Sequence, residues 1–255
     1  MTQNQRTAVT TVTFYDLNKP DMAVRADLAL RTIEDALGKN CEVFVVDGGS
    51  SDSFVQKAKS FGANLYPQEG RGISRGQQQA ISHANRELNP DTYILIEPEK
   101  AGLLRDYSDQ IVSPVNQGLA DIVLVGRTEG SMKTMTRMQR LTETKINEIL
   151  SEAMGIKTDY CMAPRVWNSN VTPYFLNYTP IKNWDLFHGP VIDAMVDGKK
   201  IVPVAIPYVY PRDMISQEEG EEAYEVKRVN QLIEVTDFVR GYLARKALER
   251  TSPKS

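Results

Sequence analysis

The sequence predicts an α/β fold: a mixed, mostly parallel sheet flanked by helices, with a C-terminal helical appendage. Three observations predict it. Short apolar runs alternate with segments of helical spacing through the first half of the chain, the pattern of consecutive βαβ units with right-handed crossovers. The run Tyr93–Ile96 is apolar throughout, as suits a strand covered on both faces. Glycine, Asn-Pro and Pro stand at the junctions where one period gives way to the next.

Taken in order, residues 1–7 are polar and expected to be disordered. Ala8 to Tyr15 alternates as a first strand. Ala23 to Leu37 places Val24, Leu28, Ile33 and Leu37 at helical spacing, with Gly38 to end the helix. Glu42 to Val46 is a short apolar strand, Phe54 to Phe61 a helix, and Asn64 to Tyr66 another brief strand. Ile73, Gln77, Ile81, Ala84 and Leu88 share one helical face that ends at Asn89-Pro90. The Thr92–Ile96 strand follows, then a weaker helix over Arg105–Gln117 and a strand over Asp121–Val125. Met132 to Met154 reads as one long helix with a methionine-rich core stripe. Asp159 to Leu176 is irregular and aromatic, and His188 to Val196 can be helical. Ile201 to Tyr210 is punctuated by proline, which suits an edge strand. Glu218 to Glu225 is acidic and expected to be mobile. Val226 to Leu248 is an amphipathic helix that either packs on the domain or meets a second subunit in a homodimer. Residues 8–212 form the expected domain, with 213–255 as its appendage.

Composition sets outer limits. An apolar fraction of 41% and a charged fraction of 25% over 255 residues are ordinary for a globular protein with one large core. The net charge of −3 and pI near 5.6 give no global attraction to nucleic acid or to anionic lipid. Cys41 and Cys161 are too few and too distant for a disulfide framework or a cysteine-rich zinc site. No apolar window reaches the ~18 residues of a spanning helix and no signal-like segment opens the sequence, so a cytoplasmic location is expected. The acceptor patterns at Asn170 and Asn177 are then chance matches.

Three stretches can carry chemistry. In Val45-Val46-Asp47-Gly48-Gly49-Ser50-Ser51-Asp52, a carboxylate at a strand end precedes two glycines. It can accept hydrogen bonds from a base or ribose, or the stretch is a turn whose Ser51 or Asp52 caps the next helix. Gly70-Arg71-Gly72-Ile73-Ser74-Arg75-Gly76 joins a helix N-terminus to two guanidinium groups that can fork onto phosphate. Glu97-Pro98-Glu99 brings two carboxylates out together where Pro98 stops a buried strand. Neither Gly-x-Gly-x-x-Gly nor a phosphate-loop Lys-Ser/Thr is present, so dinucleotide binding and nucleotide hydrolysis lose support.

These stretches, in this order, resemble the GT-A glycosyltransferases of family 2, in particular the dolichol-phosphate-mannose-synthase-like and glycosylglycerate-synthase-like branches. Those enzymes share the Asp-Gly-Gly-Ser-Ser-Asp-type loop, a later Gly-Arg-Gly-type helix start, a strand ending in Asp-X-Asp, and a Val-Pro-Val-type strand reaching Tyr-Pro. Here the last two are Glu97-Pro98-Glu99 and Val202-Pro203-Val204 to Tyr210-Pro211. The resemblance, over residues 8–212, implies a Rossmann-like GT-A fold and transfer from a nucleoside-diphosphate sugar to a hydroxyl of a small molecule or glycan. It implies that Asp47, Gly48, Gly49, Asp52, Arg71 and Arg75 hold the nucleotide sugar. Glu97 and Glu99, with His188, would bind Mg2+ or Mn2+, and Asp185 would act as general base at the acceptor. Glutamate in place of aspartate departs from the pattern by a methylene in each arm. The alternatives are a sugar-phosphate nucleotidyltransferase, which would need a glycine-rich loop where Tyr15-Asp16-Leu17-Asn18 stands, and a non-catalytic nucleotide-sugar-binding module.

Overall fold

β1 (Thr7–Thr13) lies between β2 (Glu42–Asp47) and β4 (Thr92–Leu95), parallel to both, and this neighbourhood positions everything that follows. The computed structural model describes residues 5–180 and 184–251, with side chains to residue 244. The expected disorder of residues 1–7 falls partly outside them; Arg6 already donates its backbone N–H to Asp91.

The seven strands run in the order β3-β2-β1-β4-β6-β5-β7, where β3 is Asn64–Pro67, β5 Ile122–Arg127, β6 Arg165–Asn168 and β7 Ile201–Ile206. All neighbours pair in parallel except β6, which runs antiparallel between β4 and β5. Alternate side chains divide the core in two, as period 2 requires. Val9, Val45, Ile94, Val123 and Val166 point to the layer that holds α1 (Pro20–Gly38), α2 (Asp52–Phe61) and α4 (Leu103–Asn116). Ala8, Phe44, Tyr93, Leu124 and Trp167 point to the opposite layer. There α3 (Ile73–Glu87), α6 (Arg137–Met154), α7 (Thr172–Leu176), α8 (Asp185–Val196) and α10 (Glu222–Thr251) pack. Two short helices, α5 (Glu129–Met132) and α9 (Arg212–Glu218), complete the chain. Among the described residues no helix is long and apolar enough to cross a membrane.

Three expectations change. The Met132–Met154 helix is broken at Thr136, whose hydroxyl accepts from the Gln139 N–H and starts α6 afresh. The stretch read as irregular contains β6 in the middle of the sheet. Trp167 there is fully buried, flanked by Tyr93 at 5.4 Å and Phe175 at 3.9 Å, and its Nε1 donates to Thr172 Oγ1. The acidic stretch after Glu218 is helical except around its Gly220 turn, and Glu218 itself is buried and ion-paired. α10 packs along α6, so the domain supplies a partner for one of its faces; Val226, Val229 and Ile233 remain exposed. β7 is an edge strand, as its proline suggested.

Candidate active site

The chain returns across the sheet between β1 and β4, and open α/β sheets bind ligands at the carboxyl ends beside such a reversal. A cavity of about 650 Å3 opens there. Its walls come from the end of β1 (Thr13 to Tyr15), the start of α3 (Gly72, Ile73), the segment after β4 (Glu97 to Lys100), α8 (Phe187, His188) and α10 (Lys227, Arg228).

Asp47 stands just behind this wall, and its carboxylate is committed to the loop. Oδ2 accepts the backbone N–H groups of Gly49 at 3.0 Å and Ser50 at 2.8 Å; Oδ1 accepts the hydroxyls of Thr13 at 2.7 Å and of Ser50. Four donors on two oxygens satisfy a carboxylate, so Asp47 fixes the shape of the loop. Gly48 approaches the end of β1, with its N–H on Thr13 O at 2.8 Å; a Cβ there would meet Gln68 Oε1 at 3.1 Å. Gly49 has φ of +103°, open to glycine at no steric cost. Asp52 is exposed in the first turn of α2, outside the cavity wall, where a carboxylate favours the helix terminus.

Glu97 and Glu99 both line the cavity, each already facing a cation. Lys100 Nζ lies 2.6 Å from Glu97 Oε2. Burial would raise the Glu97 carboxyl, but Lys100, then Arg228 and Lys227, hold it below the ordinary value. Glu99 Oε1 accepts the Tyr15 hydroxyl at 2.9 Å and lies 3.9 Å from Arg25. Burial and then Glu99 push the Tyr15 phenol well up, so it stays a donor. Arg25 continues to Glu218 at 2.6 Å, Glu218 to Arg228 at 3.0 Å, and Arg228 to Glu143 at 3.7 Å. Arg127 closes the ladder, bound to Glu143 and, at 2.6 Å, to Asp159.

His188 lines the same cavity with its Nδ1 buried and without a hydrogen-bond partner. Burial, then the neighbouring Arg165, pushes its imidazole down to about 3, so it is neutral across the physiological range. Arg165 belongs to β6 and is itself fully buried. It donates to the carbonyls of Tyr160, Met162, Pro164 and Phe187 at 2.5–3.2 Å, and burial lowers it to about 10.

The remaining expected residues lie elsewhere. Asp185 is buried at the start of α8 and lines a second cavity with Asp193, Asp197 and Asp237, and it is not part of the wall of His188's cavity. A base role at the first cavity is not what this placement gives. Arg71 and Arg75 are exposed on a surface cleft that shares Gly72 with the main cavity, and the Arg75 guanidinium folds back over Gly70. Trp167 and Phe175, in the stretch read as irregular and aromatic, are core residues.

A divalent cation would have to use Glu97, Glu99 and His188, and these do not fit one as they stand. Their ligand atoms do not converge as a three-donor set among the described residues, and a cation already neutralises each carboxylate. The donors that do converge are Glu143, Asp159 and Cys161, but the Arg127 guanidinium sits on both carboxylates and burial raises the Cys161 thiol, keeping it protonated.

A mixed, mostly parallel sheet whose strand order reverses between β1 and β4, with a charged cavity at its carboxyl edge, defines an α/β fold of Rossmann-like GT-A type. The pattern of Glycosyl transferase family 2 matches residues 23–167, and the chain belongs to that family; it is a glycosyltransferase. No curated protein sequence matches it. Among solved structures it is similar to glucosyl-3-phosphoglycerate synthase of M. tuberculosis, at 13% identity and a TM-score of 0.60, over 93% of this chain and 81% of that one. The same enzyme in complex with Mg2+ and uridine diphosphate gives 13% identity and a TM-score of 0.57 over 91% and 79%. In complex with Mn2+, UDP-glucose and phosphoglyceric acid it gives 13% and 0.56 over 91% and 80%. At such identity the likeness is one of fold.

Proposed function

We propose that this chain transfers a glycosyl group from a nucleoside-diphosphate sugar to a hydroxyl acceptor, with the main cavity as its site. The observation that carries the proposal is the placement of that cavity at the carboxyl edge between β1 and β4, walled by the Thr13–Tyr15 end of β1 and the Glu97–Lys100 turn. The bound UDP and UDP-glucose of the similar M. tuberculosis enzyme support the donor class.

The roles follow from the residues. The Asp47–Ser50 loop, held by its four hydrogen bonds, presents a rigid strand end against which a nucleoside can lie. Arg71 and Arg75, at the start of α3, can reach an anionic part of a substrate that extends past Gly72. Lys100 and Lys227 put positive charge on the cavity wall, where the leaving diphosphate gathers negative charge. In the transfer the bond from the anomeric carbon to the diphosphate oxygen breaks with its electron pair on that oxygen. The acceptor oxygen forms the new bond and its proton passes to water, leaving the departing diphosphate ionised.

A donor screen tests the proposal: nucleoside-diphosphate sugars are incubated with the protein and released nucleoside diphosphate is measured. Release from one base and sugar combination, accelerated by an acceptor, is expected. Release of pyrophosphate from a nucleoside triphosphate and a sugar phosphate would point instead to a nucleotidyltransferase. Binding with no release from any donor would point to a non-catalytic module.

A further inference from the structure

The charges around Glu97 and Glu99 cancel without a metal. Five carboxylates, Glu97, Glu99, Glu143, Asp159 and Glu218, face five cations, Arg25, Lys100, Arg127, Lys227 and Arg228. Asp21 and Arg165 add one of each to the cavity wall. A site that holds a dication needs a surplus of anionic oxygen, and a neutral one offers little attraction. To bind a divalent ion, Glu97 would have to release an ammonium at 2.6 Å, and Glu99 would have to turn from both Tyr15 and Arg25.

Two of the cations differ from the rest. The guanidinium groups of Arg25, Arg127 and Arg228 are each shared between two carboxylates, so their charge is spent within the ladder. Lys100 has a single carboxylate partner among the described residues. Lys227 has no ion-pair partner among the described residues, and its contact is the ring of Tyr224 at 5.9 Å. Both line the cavity, one on the β4 turn and one on α10. An ammonium is a compact charge with three rotatable donors, suited to following a phosphate oxygen as charge develops on it.

We propose that the chain meets the diphosphate of its donor with its own cations, Lys100 positioned by Glu97 and Lys227 facing it from α10, and works without a divalent ion. The proposal rests on the reading of the chain as a nucleoside-diphosphate-sugar transferase. Glu97 and Glu99 are then positioning residues: Glu97 aims Lys100, and Glu99 ties Tyr15 and Arg25 to the cavity wall.

The test is isothermal titration of the full chain with UDP and with GDP, each in excess chelator and in excess Mn2+. The nucleotide that binds is expected to do so in chelator with a Kd within about threefold of its value in Mn2+. Lys100→Met is expected to weaken it on the order of tenfold, the loss of one charge-assisted contact, and Lys100→Arg to restore most of the affinity. Thermal melts of each variant confirm that it is folded. A loss of more than about tenfold in chelator that Mn2+ reverses overturns the proposal while leaving the transferase reading intact. So does stoichiometric Mn2+ binding, seen as loss of the free-ion resonance signal, that Glu99→Ala abolishes. Should neither nucleotide bind in either condition, the proposal falls, and the donor screen above decides the transferase reading separately.

Discussion

Glu218 ties α1 to α10, and its removal gives a sharp prediction. The side chain is 1% exposed and accepts Arg25 Nη2 at 2.6 Å, Arg228 Nη2 at 3.0 Å and the Tyr210 hydroxyl at 3.3 Å. Arg25 is on α1 and Arg228 on α10, so one carboxylate joins two helices distant in sequence. Glu218→Ala removes the shorter ion pair of each arginine, leaving Arg25 with Glu99 at 3.9 Å and Arg228 with Glu143 at 3.7 Å. Breaking a buried ion pair from one side costs about 3–5 kcal/mol, and at this chain length each kcal/mol lowers Tm by about 2 °C, so a fall of about 6–10 °C is expected. The pH dependence has a definite sign. Burial raises the Glu218 carboxyl, but Arg228 and then Arg25 more than offset this, so its pKa in the fold lies below that of the unfolded chain. Its contribution is therefore fully present above an unfolded value of about 4.3 and is lost as the pH falls toward the folded value. Melting curves of wild type and variant, followed by circular dichroism between neutral pH and pH 4 or below, should converge as the solution becomes acid. A shift under about 2 °C at neutral pH, or a gap that stays constant on acidification, would show that solvent screens the pair and that α10 is held by packing alone.

Two further outcomes follow from single positions. Gly76 sits in α3 where an added Cβ would come 2.7 Å from Val12 Cγ2 on β1. Gly76→Ala gains about 1 kcal/mol of helix propensity but overpacks at a cost of about 1–3 kcal/mol, so the urea midpoint should fall; Gly38→Ala, with open space around its Cβ, should hold or raise it. The His188 ring, pushed down to about 3, should show no proton titration by NMR between pH 5 and 8. Because an unfolded histidine protonates near pH 6.5, His188 draws stability down as the pH falls below that value, and His188→Gln should remove that part of the slope.

The strands and helices of the first half were legible because local pattern and tertiary role agree there. A continuous apolar run at Tyr93–Ile96 is buried on both faces, and Gly38 and Asn89-Pro90 stand where helices end. β6 was not legible because Arg165 occupies its first position. A charge in a four-residue segment reads as loop, and its burial depends on four carbonyls that the tertiary fold assembles around the guanidinium. The same limit applies to Trp167, which reads as part of an irregular aromatic stretch until Tyr93 and Phe175 enclose it.

At the site, motif order located the cavity wall but not its charge balance. Glu97-Pro98-Glu99 reads as an anionic pair as long as Lys100 is taken for a solvated neighbour, since nothing in four consecutive residues says which way the ammonium turns. Its meaning is settled by partners as far along the chain as Arg25, Lys227 and Arg228, and Glu218 joins two of these directly. A stretch expected to be mobile for its acidity thus carries a carboxylate that joins Arg25 and Arg228 beside the cavity. Acidic runs are usually solvated because isolated carboxylates cannot afford burial; Glu218 can be buried because two arginines and a tyrosine meet it there.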